Sequence, residues 1–179
     1  MFSMIIDMRT ISHGSRHFEF LLEAGWWARE EKYDQILDLA KALNVRINIS
    51  RVGDKYRVDG RLFGRLKIRC DRCLEPYKRD IATEFSLFLM MNPSPSGQNE
   101  IELLEDDMSV DFITGNEICL DDIVREQIYL SLPMKCLCRE DCLGLCPLCG
   151  TNLNTGKCNC EDEKGHPGFS KLKNMNLDG

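Results

Sequence analysis

The stretch that decides the fold runs from Lys55 to Cys70 and reads KYRVDGRLFGRLKIRC. Every second position is apolar or glycine, and the positions between them are almost all charged. Alternate side chains of a β-strand project to opposite faces of the sheet. The pattern therefore predicts one or two strands with an apolar inner face and a basic outer face.

The outer face of this predicted strand is the candidate nucleic-acid-binding site. As a phosphate-facing surface it would use Phe63 to stack or pack among arginines. The alternative is the solvated face of an edge strand, where basic residues discourage aggregation. The sequence leaves both interpretations open. The candidate residues are Arg57, Arg61, Phe63, Arg65, Lys67, Arg69 and, just beyond the strand, Arg72.

The neighbouring segments predict an antiparallel β-meander. The alternating run at 45–49, with Gly53 and Asp54 as a turn, predicts a hairpin with the strand that starts at Tyr56. Further strands are predicted at 4–6, 17–20 and 81–89.

Two helices are predicted as well. From Glu31 to Leu43 apolar residues recur at helical spacing, and Asn44 would end that helix. A second helix is predicted at 120–128, because carboxylates in its first turn suit the helix dipole and Pro133 closes it. The apolar stripe of the first helix comprises Tyr33, Ile36, Leu37, Ala40 and Leu43.

The predicted fold is α+β, with an antiparallel β-meander or small barrel-like sheet, peripheral helices and a C-terminal zinc-binding module. Three parts are expected along the chain. Residues 1–133 form the body, 134–162 the cysteine-rich module and 163–179 a C-terminal tail. The clearest loop, at 92–97, lies within the body.

The formal net charge of -6 is an average over unlike segments. Residues 55–79 carry nine basic and three acidic side chains, whereas residues 99–126 carry ten acidic side chains and one basic one. The negative net charge therefore does not argue against contact with nucleic acid. The uneven distribution of charge shows that such contact would occur at the basic segment.

Length and hydropathy narrow the class of protein. With 179 residues the chain is too short for a large multidomain enzyme, and 43% hydrophobic residues allow an ordinary core. The longest apolar run, Leu87–Met91, is too short to span a bilayer. No secretory signal is evident near Met1, so we expect a cytoplasmic protein that does not enter the membrane.

Seven of the ten cysteines lie between Cys136 and Cys160. In a reducing compartment such clustering indicates metal ligands rather than disulfides. The run Cys146-Pro-Leu-Cys149-Gly150 is typical of a zinc-binding turn, and the second pair of ligands is either Cys158 and Cys160 or Cys138 and Cys142. We expect one zinc with two spare thiols. The candidate ligands are Cys138, Cys142, Cys146, Cys149, Cys158 and Cys160.

The expected zinc site is structural. Zinc binding supplies about 10 kcal/mol or more of folding free energy, which suits a module with few large apolar residues. A catalytic zinc would usually have a histidine or glutamate nearby, and all three histidines lie outside the cluster. An iron–sulfur cluster is the rival, but the spacing does not match the ferredoxin patterns. Cys119 is expected to be a small core residue.

Cys70 and Cys73 form a further pair at the end of the basic strand. They are an incomplete metal site, two buried thiols in a turn, or a redox motif. The redox interpretation is weak because no thioredoxin-like strand and helix surround the pair.

Three blocks of sequence resemble the bacterial and plastid YceD family. The first is the run Ile68-Arg-Cys70-Asp-Arg72-Cys73-Leu74-Glu75-Pro76, the second spans 118–133, and the third covers 142–154 with Cys158 and Cys160. The third block resembles the cysteine-rich tail of a subset of members. The run His166-Pro167-Gly168 departs from the acidic-Pro-basic ending that many members have.

The resemblance implies a ribosome-biogenesis factor that is required for accumulation of large-subunit (23S) ribosomal RNA. Such a factor is not an enzyme, has no small-molecule substrate, and has ribosomal RNA or ribosomal proteins as partners. It would contact them through the basic strand and Arg72, with zinc as a stabilising accessory. Two other functions remain open. One is a zinc-stabilised adaptor whose acidic segment binds a basic partner. The other is a thiol or zinc enzyme that uses Cys70 and Cys73 or a spare thiol of the cysteine-rich module.

Overall fold

The computed structural model describes residues 4–11, 14–27, 35–91 and 110–160. The predicted loop at 92–97, the acidic stretch at 99–109 and the tail at 163–179 lie outside these ranges. The elements are β1 (Ile5–Asp7), a short 3-10 helix (Met8–Thr10), β2 (Ser15–Leu22), β3 (Ile36–Val52), β4 (Lys55–Arg69), β5 (Pro76–Met91), β6 (Val110–Ile113), β7 (Glu117–Cys119) and α1 (Leu120–Ser131).

The strands form two sheets. The larger has five strands in the order β2-β3-β4-β5-β6, and the smaller pairs β1 with β7. The pairs β2–β3, β3–β4 and β4–β5 are antiparallel, whereas β6 runs parallel to β5. The predicted α+β class and antiparallel meander are therefore confirmed. Within the described ranges the sheet is open, with β2 and β6 at its edges, rather than barrel-like.

Strand β4 follows the predicted alternation along its whole length. Val58, Leu62 and Leu66 are buried on one face, and Arg57, Arg61 and Lys67 are exposed on the other. A two-residue turn joins β3 to β4, because Val52 pairs with Lys55. Gly53 makes that turn in the left-handed region, at φ 65°.

The helix predicted from Glu31 to Leu43 is wrong in its described part, because residues 36–43 belong to β3. The pairing of β3 with β4 shifts register three times between Ile36 and Asn44. Each irregularity changes the residue count on β3, so the buried positions Ile36, Leu39 and Leu43 are spaced by three and four. That spacing imitates a helix. Asn44 is an exposed residue within β3, so the predicted helix end at this position is also wrong.

Helix α1 confirms the second helix prediction and packs its buried face, Leu120, Val124 and Ile128, into the core. Its first turn holds the N-terminal segment. The Asp121 carboxylate accepts hydrogen bonds from the Met4 backbone N–H at 2.7 Å and the Trp26 indole N–H at 2.6 Å. No helix of the described residues has the length and apolar character needed to cross a membrane.

Arg125 of α1 is 6% exposed and is held by aromatic rings. Its guanidinium lies 4.2 Å from the ring centre of Trp26 and 5.0 Å from that of Trp27. It also donates to the Trp26 carbonyl at 2.7 Å. These contacts stabilise a buried cation, which would otherwise be costly.

We predict that Gly60→Ala destabilises the sheet. A Cβ on Gly60 would lie 2.1 Å from Cζ of the Phe85 ring, which covers this position. We expect a loss of about 1–3 kcal/mol in the free energy of unfolding, measured by urea denaturation. The same substitution in a Phe85→Ala background should cost clearly less. An equal cost in both backgrounds would show that the ring is not the obstacle.

Candidate metal centres and basic face

Eight cysteines form two groups of four. The first group is Cys70, Cys73, Cys138 and Cys142, and the second is Cys146, Cys149, Cys158 and Cys160. Within each group all four sulfur atoms lie within 4.8 Å of one another. Four thiols converging on one point can bind a metal ion.

The first group joins the end of the β4–β5 hairpin to the cysteine-rich segment. Cys70 follows β4, and Cys73 lies in the turn before β5. Their sulfur atoms lie 3.8 Å from those of Cys142 and Cys138, respectively. Cys70, Cys73 and Cys142 are buried. This group therefore sits at an interface between two distant parts of the chain.

Asp71 and Arg72, between the two cysteines of the hairpin, fasten that interface. The Asp71 backbone N–H donates to the Cys136 carbonyl at 2.9 Å, and its carboxylate accepts from the Cys136 N–H at 2.6 Å. The Arg72 guanidinium donates to the Cys142 carbonyl at 2.9 Å, and its own carbonyl accepts from Leu145 at 3.1 Å. Arg72, a predicted RNA contact, thus positions the cysteine-rich segment.

The second group lies wholly within the cysteine-rich segment and is more exposed. Cys149 and Cys160 are exposed and Cys158 is half-buried, while Cys146 is buried. Its turn closes with a hydrogen bond from the Gly150 N–H to the Cys146 carbonyl at 2.9 Å. This group contains the four cysteines of one pairing that the sequence left open.

The cysteine turns of the two groups have the same backbone hydrogen bond and a left-handed residue at the same position. Leu74 donates to the Cys70 carbonyl at 3.0 Å, as Gly150 does to that of Cys146. Both residues have positive φ, 60° at Leu74 and 74° at Gly150. A left-handed conformation costs a leucine roughly 1–2 kcal/mol, whereas glycine adopts it freely. Leu74 is also 55% exposed.

Asn154 links the two groups, a role that the sequence did not indicate. It lies in the loop of the second group, between Cys149 and Cys158. Its side-chain N–H donates to the Cys142 sulfur of the first group at 3.4 Å, and its Oδ1 accepts from the Leu143 N–H at 2.9 Å. Such bonds to ligand atoms orient metal sites.

The thiols of each group differ in pKa, and this difference favours the binding of a metal cation. In the first group, burial opposes ionisation of Cys70, but hydrogen bonds from the backbone of Cys73, Cys138 and Arg72 outweigh it and lower its pKa to about 6. Burial, followed by hydrogen bonding to Cys142, raises the pKa of Cys138 to about 12. All four thiols can ionise together only when a positive ion offsets their repulsion.

The second group repeats this contrast. A hydrogen bond with the Thr151 hydroxyl, at 3.1 Å from the sulfur, is the largest cause that lowers the pKa of Cys149 to about 6. Hydrogen bonding to Cys149 raises the pKa of Cys160 to about 12. Metal uptake at either group must therefore displace protons, so acidification works against it.

The geometry differs from the expected single zinc with two spare thiols. Cys138 and Cys142 are not spare, because they meet Cys70 and Cys73. Of the three interpretations of the Cys70–Cys73 pair, the geometry fits the metal site, because Cys138 and Cys142 of the cysteine-rich segment complete the four thiols. Cys119, expected in the core, is half-buried.

Most arginines of the basic face have acidic partners on the sheet. Arg57 pairs with Asp59 at 3.0 Å, and Arg61 pairs with Glu84 of β5 at 3.2 Å. Arg65 forms a bidentate pair with Asp80, which holds the pKa of that carboxyl below its usual range. Much of the positive charge on the basic face is therefore neutralised, along β4 at Arg57 and across to β5 at Arg61 and Arg65.

The end of the sheet next to the first cysteine group keeps its positive charge. We call this surface, formed by Lys67, Arg69 and Lys78, the basic end. Lys67 lies directly opposite Lys78. None of the three forms an ion pair with another described residue. Asp38, opposite Lys67 on β3, directs its carboxylate to the backbone N–H groups of Gly25 and Leu39.

These features define a class of α+β proteins in which a cysteine-rich segment joins the end of a β-hairpin through four thiols. The family model described as "Large ribosomal RNA subunit accumulation protein YceD" matches residues 58–176. The chain belongs to the YceD family, as its three sequence blocks indicated.

The chain is similar to relatives from plants and mycobacteria. It is 27% identical over 154 residues to "Large ribosomal RNA subunit accumulation protein YCED homolog 1, chloroplastic" of Zea mays, covering 73% of this chain and 52% of the relative. The protein of that name from Arabidopsis thaliana is 27% identical, with 74% and 48% covered. An uncharacterized protein of Mycobacterium tuberculosis is 26% identical, with 78% and 64% covered.

The chain thus spans about half the length of the two plant relatives. No solved structure matches it.

We predict that the purified protein binds two metal ions per chain, and that the two groups lose them independently. Cys70→Ser and Cys149→Ser should each leave about one ion, measured by elemental analysis, because each removes one of four ligands. Cys119→Ser, outside both groups, should keep two. One ion in the unaltered protein would contradict the arrangement.

We predict that Asn154→Asp weakens metal binding at the first group by about 10- to 100-fold. The substitution replaces an N–H donor to the Cys142 sulfur with a carboxylate of nearly the same shape. Competition with a chromophoric chelator measures the affinity. Asn48→Asp adds the same charge on the sheet and serves as the control, for which we expect no change.

Proposed function

We propose that this protein is a non-enzymatic factor that supports accumulation of large-subunit (23S) ribosomal RNA by binding RNA in the cytoplasm. The family description and the names of the plant relatives support the biological role. Ribosomal proteins are the alternative partners. The proposal assigns the RNA contact to the basic end of the sheet.

The observation that carries this assignment is the pairing of Lys67 with Lys78. Like charges directly opposite one another on neighbouring strands are destabilising. Arg69 adds a third positive charge on the same face, and no described carboxylate forms an ion pair with any of the three. A nucleic-acid phosphate bound there would offset the repulsion, and phosphate contacts dominate the affinity of proteins for nucleic acids.

The proposed metal at both groups is zinc. In a tetrahedral site with zinc–sulfur bonds of about 2.3 Å, the sulfur atoms lie about 3.8 Å apart. The pairs Cys70–Cys142 and Cys73–Cys138 have this separation. Zinc in the first group would fix the end of β4, and with it the basic end, against the cysteine-rich segment.

A non-catalytic role agrees with where the thiols lie. The enzyme hypothesis needs a spare, accessible cysteine, and the two groups take up eight of the ten. Of the other two, Cys119 is half-buried, and Cys136 is buried, which raises the pKa of its thiol. A thiol that is buried and resists ionisation is a poor nucleophile.

We predict that the double change Lys67→Glu and Lys78→Glu weakens RNA binding and makes it less salt-sensitive. A shallower slope of log affinity against log salt is expected, because each lost phosphate contact lowers the slope by about 0.7–0.9. The measurement is titration with a large-subunit RNA fragment at several salt concentrations. Arg51→Glu, an exposed change at the far end of the hairpin, is the control.

The biological test is complementation of a deletion strain. Unaltered protein and the Arg51→Glu variant should restore large-subunit RNA, and the double variant should not. Normal large-subunit RNA in the deletion strain would overturn the role itself. If a protein partner stays bound after nuclease treatment and the double variant still binds RNA normally, the adaptor function replaces RNA binding.

A further inference from the structure

Phe63 is an exposed aromatic side chain in the middle of the charged face. It is 64% exposed and belongs to β4, the central strand of the five-stranded sheet. Its direct neighbours across the strands are Asn44 on β3 and Ala82 on β5, both short side chains. Arg61 and Arg65 flank it along its own strand. The ring therefore offers a free face to solvent.

Two surface pockets on the outer face of the sheet meet beside this ring. One, of about 570 Å³, is lined by Phe63 together with Asn44 and Ala82. The other, of about 810 Å³, extends across β2 to β5 past His17 and Asn48. Both are lined by Arg46, Arg61 and Glu84, so they form one continuous trough.

The trough has nearly balanced charge at its centre. Arg46 and Arg61 lie directly opposite each other, and each also pairs with a carboxylate, Glu19 at 2.8 Å and Glu84 at 3.2 Å. The trough therefore provides polar groups for hydrogen bonds but little net attraction for a polyanion. What it adds to the basic end is an aromatic surface.

We propose that Phe63 stacks on an unpaired base of single-stranded RNA whose phosphates lie at the basic end. Phe63 and Lys67 share the outer face of β4, about 13 Å apart along the strand. The Asn44 amide, beside the ring, is placed to hydrogen-bond a base edge. This inference rests on the RNA binding proposed above and adds that the RNA must be unpaired there, since bases inside a duplex are already stacked.

An apolar partner protein is the other occupant that an exposed ring suits. The surroundings favour a base, because the ring's neighbours along and across the strands are arginines, an amide and a methyl group. Leu21 on β2 is the nearest exposed apolar side chain in the row of residues paired across the strands with Phe63. Asn44 separates the two side chains. A protein docking site would normally have an apolar centre that is continuous.

The test compares single-stranded and duplex RNA of the same sequence, with 2-aminopurine as a fluorescent base. Phe63→Ala should weaken single-strand binding by about 5- to 150-fold, the cost of one lost stack, and should abolish quenching of the fluorescent base. Its salt slope should not change, because no charge is removed. Phe63→Trp should restore the affinity, and duplex binding should be equal in all three proteins.

Leu21→Ala is the matched control, since it removes an exposed apolar side chain from the same row. Stacking is overturned if Phe63→Ala weakens single-strand binding no more than this control does. If the Lys67 and Lys78 change still weakens binding in that case, RNA binding stands and only stacking fails. Failure of the unaltered protein to bind either RNA would refute the RNA-binding proposal. Loss of a nuclease-resistant protein partner in Phe63→Ala would reassign the surface to protein docking.

Discussion

The register of β4 between β3 and β5 is the constraint on which the rest of the structure depends. Because side chains alternate with a period of two, a slip of one residue would expose every apolar side chain of β4 and bury its arginines. The fit of Gly60 under the Phe85 ring matches only one pairing. Since β4 ends at Arg69, the same register fixes where Cys70 leaves the sheet and where the cysteine-rich segment can join it.

Local patterns in the sequence predicted the elements whose burial is regular. The alternation of β4, the Gly53–Asp54 turn, β5 and α1 all follow from spacing within a few residues. The first half of β3 does not, because irregular pairing changes the spacing of its buried side chains. Such irregularities depend on the partner strand, which a pattern in one segment does not reveal.

The arrangement of the cysteines is a tertiary property that the sequence could not supply. The spacing of Cys70 and Cys73 shows that two thiols can share an ion, but not which second pair completes the site. That pair is Cys138 and Cys142, far along the chain. The neutralisation of Arg61 and Arg65 has the same explanation, because Glu84 and Asp80 become their neighbours only through the register of β5.

A metal ion bound by the first cysteine group would cross-link residues about as far apart in sequence as Cys73 and Cys138. Closing a loop of that length removes about 4 kcal/mol of chain entropy from the unfolded state in the usual treatment of cross-links. Phe63 lies on β4 and the basic end on β4 and β5, the two strands of the hairpin whose end such a cross-link would hold. The proposed binding surface and the proposed metal site would therefore share one hairpin, although their chemistry is separate.

The buried side chains of the described cysteine-rich segment, Cys136, Cys142 and Cys146, are all cysteines. No hydrocarbon side chain of its described residues is fully buried, so its apolar contacts alone give weak support when its thiols hold no ion. Proteases cleave a segment while it is locally unfolded, so the rate of cleavage follows the fraction of molecules in which that segment is unfolded. The cellular lifetime of this protein would therefore follow the supply of metal, and its abundance would fall when metal is scarce.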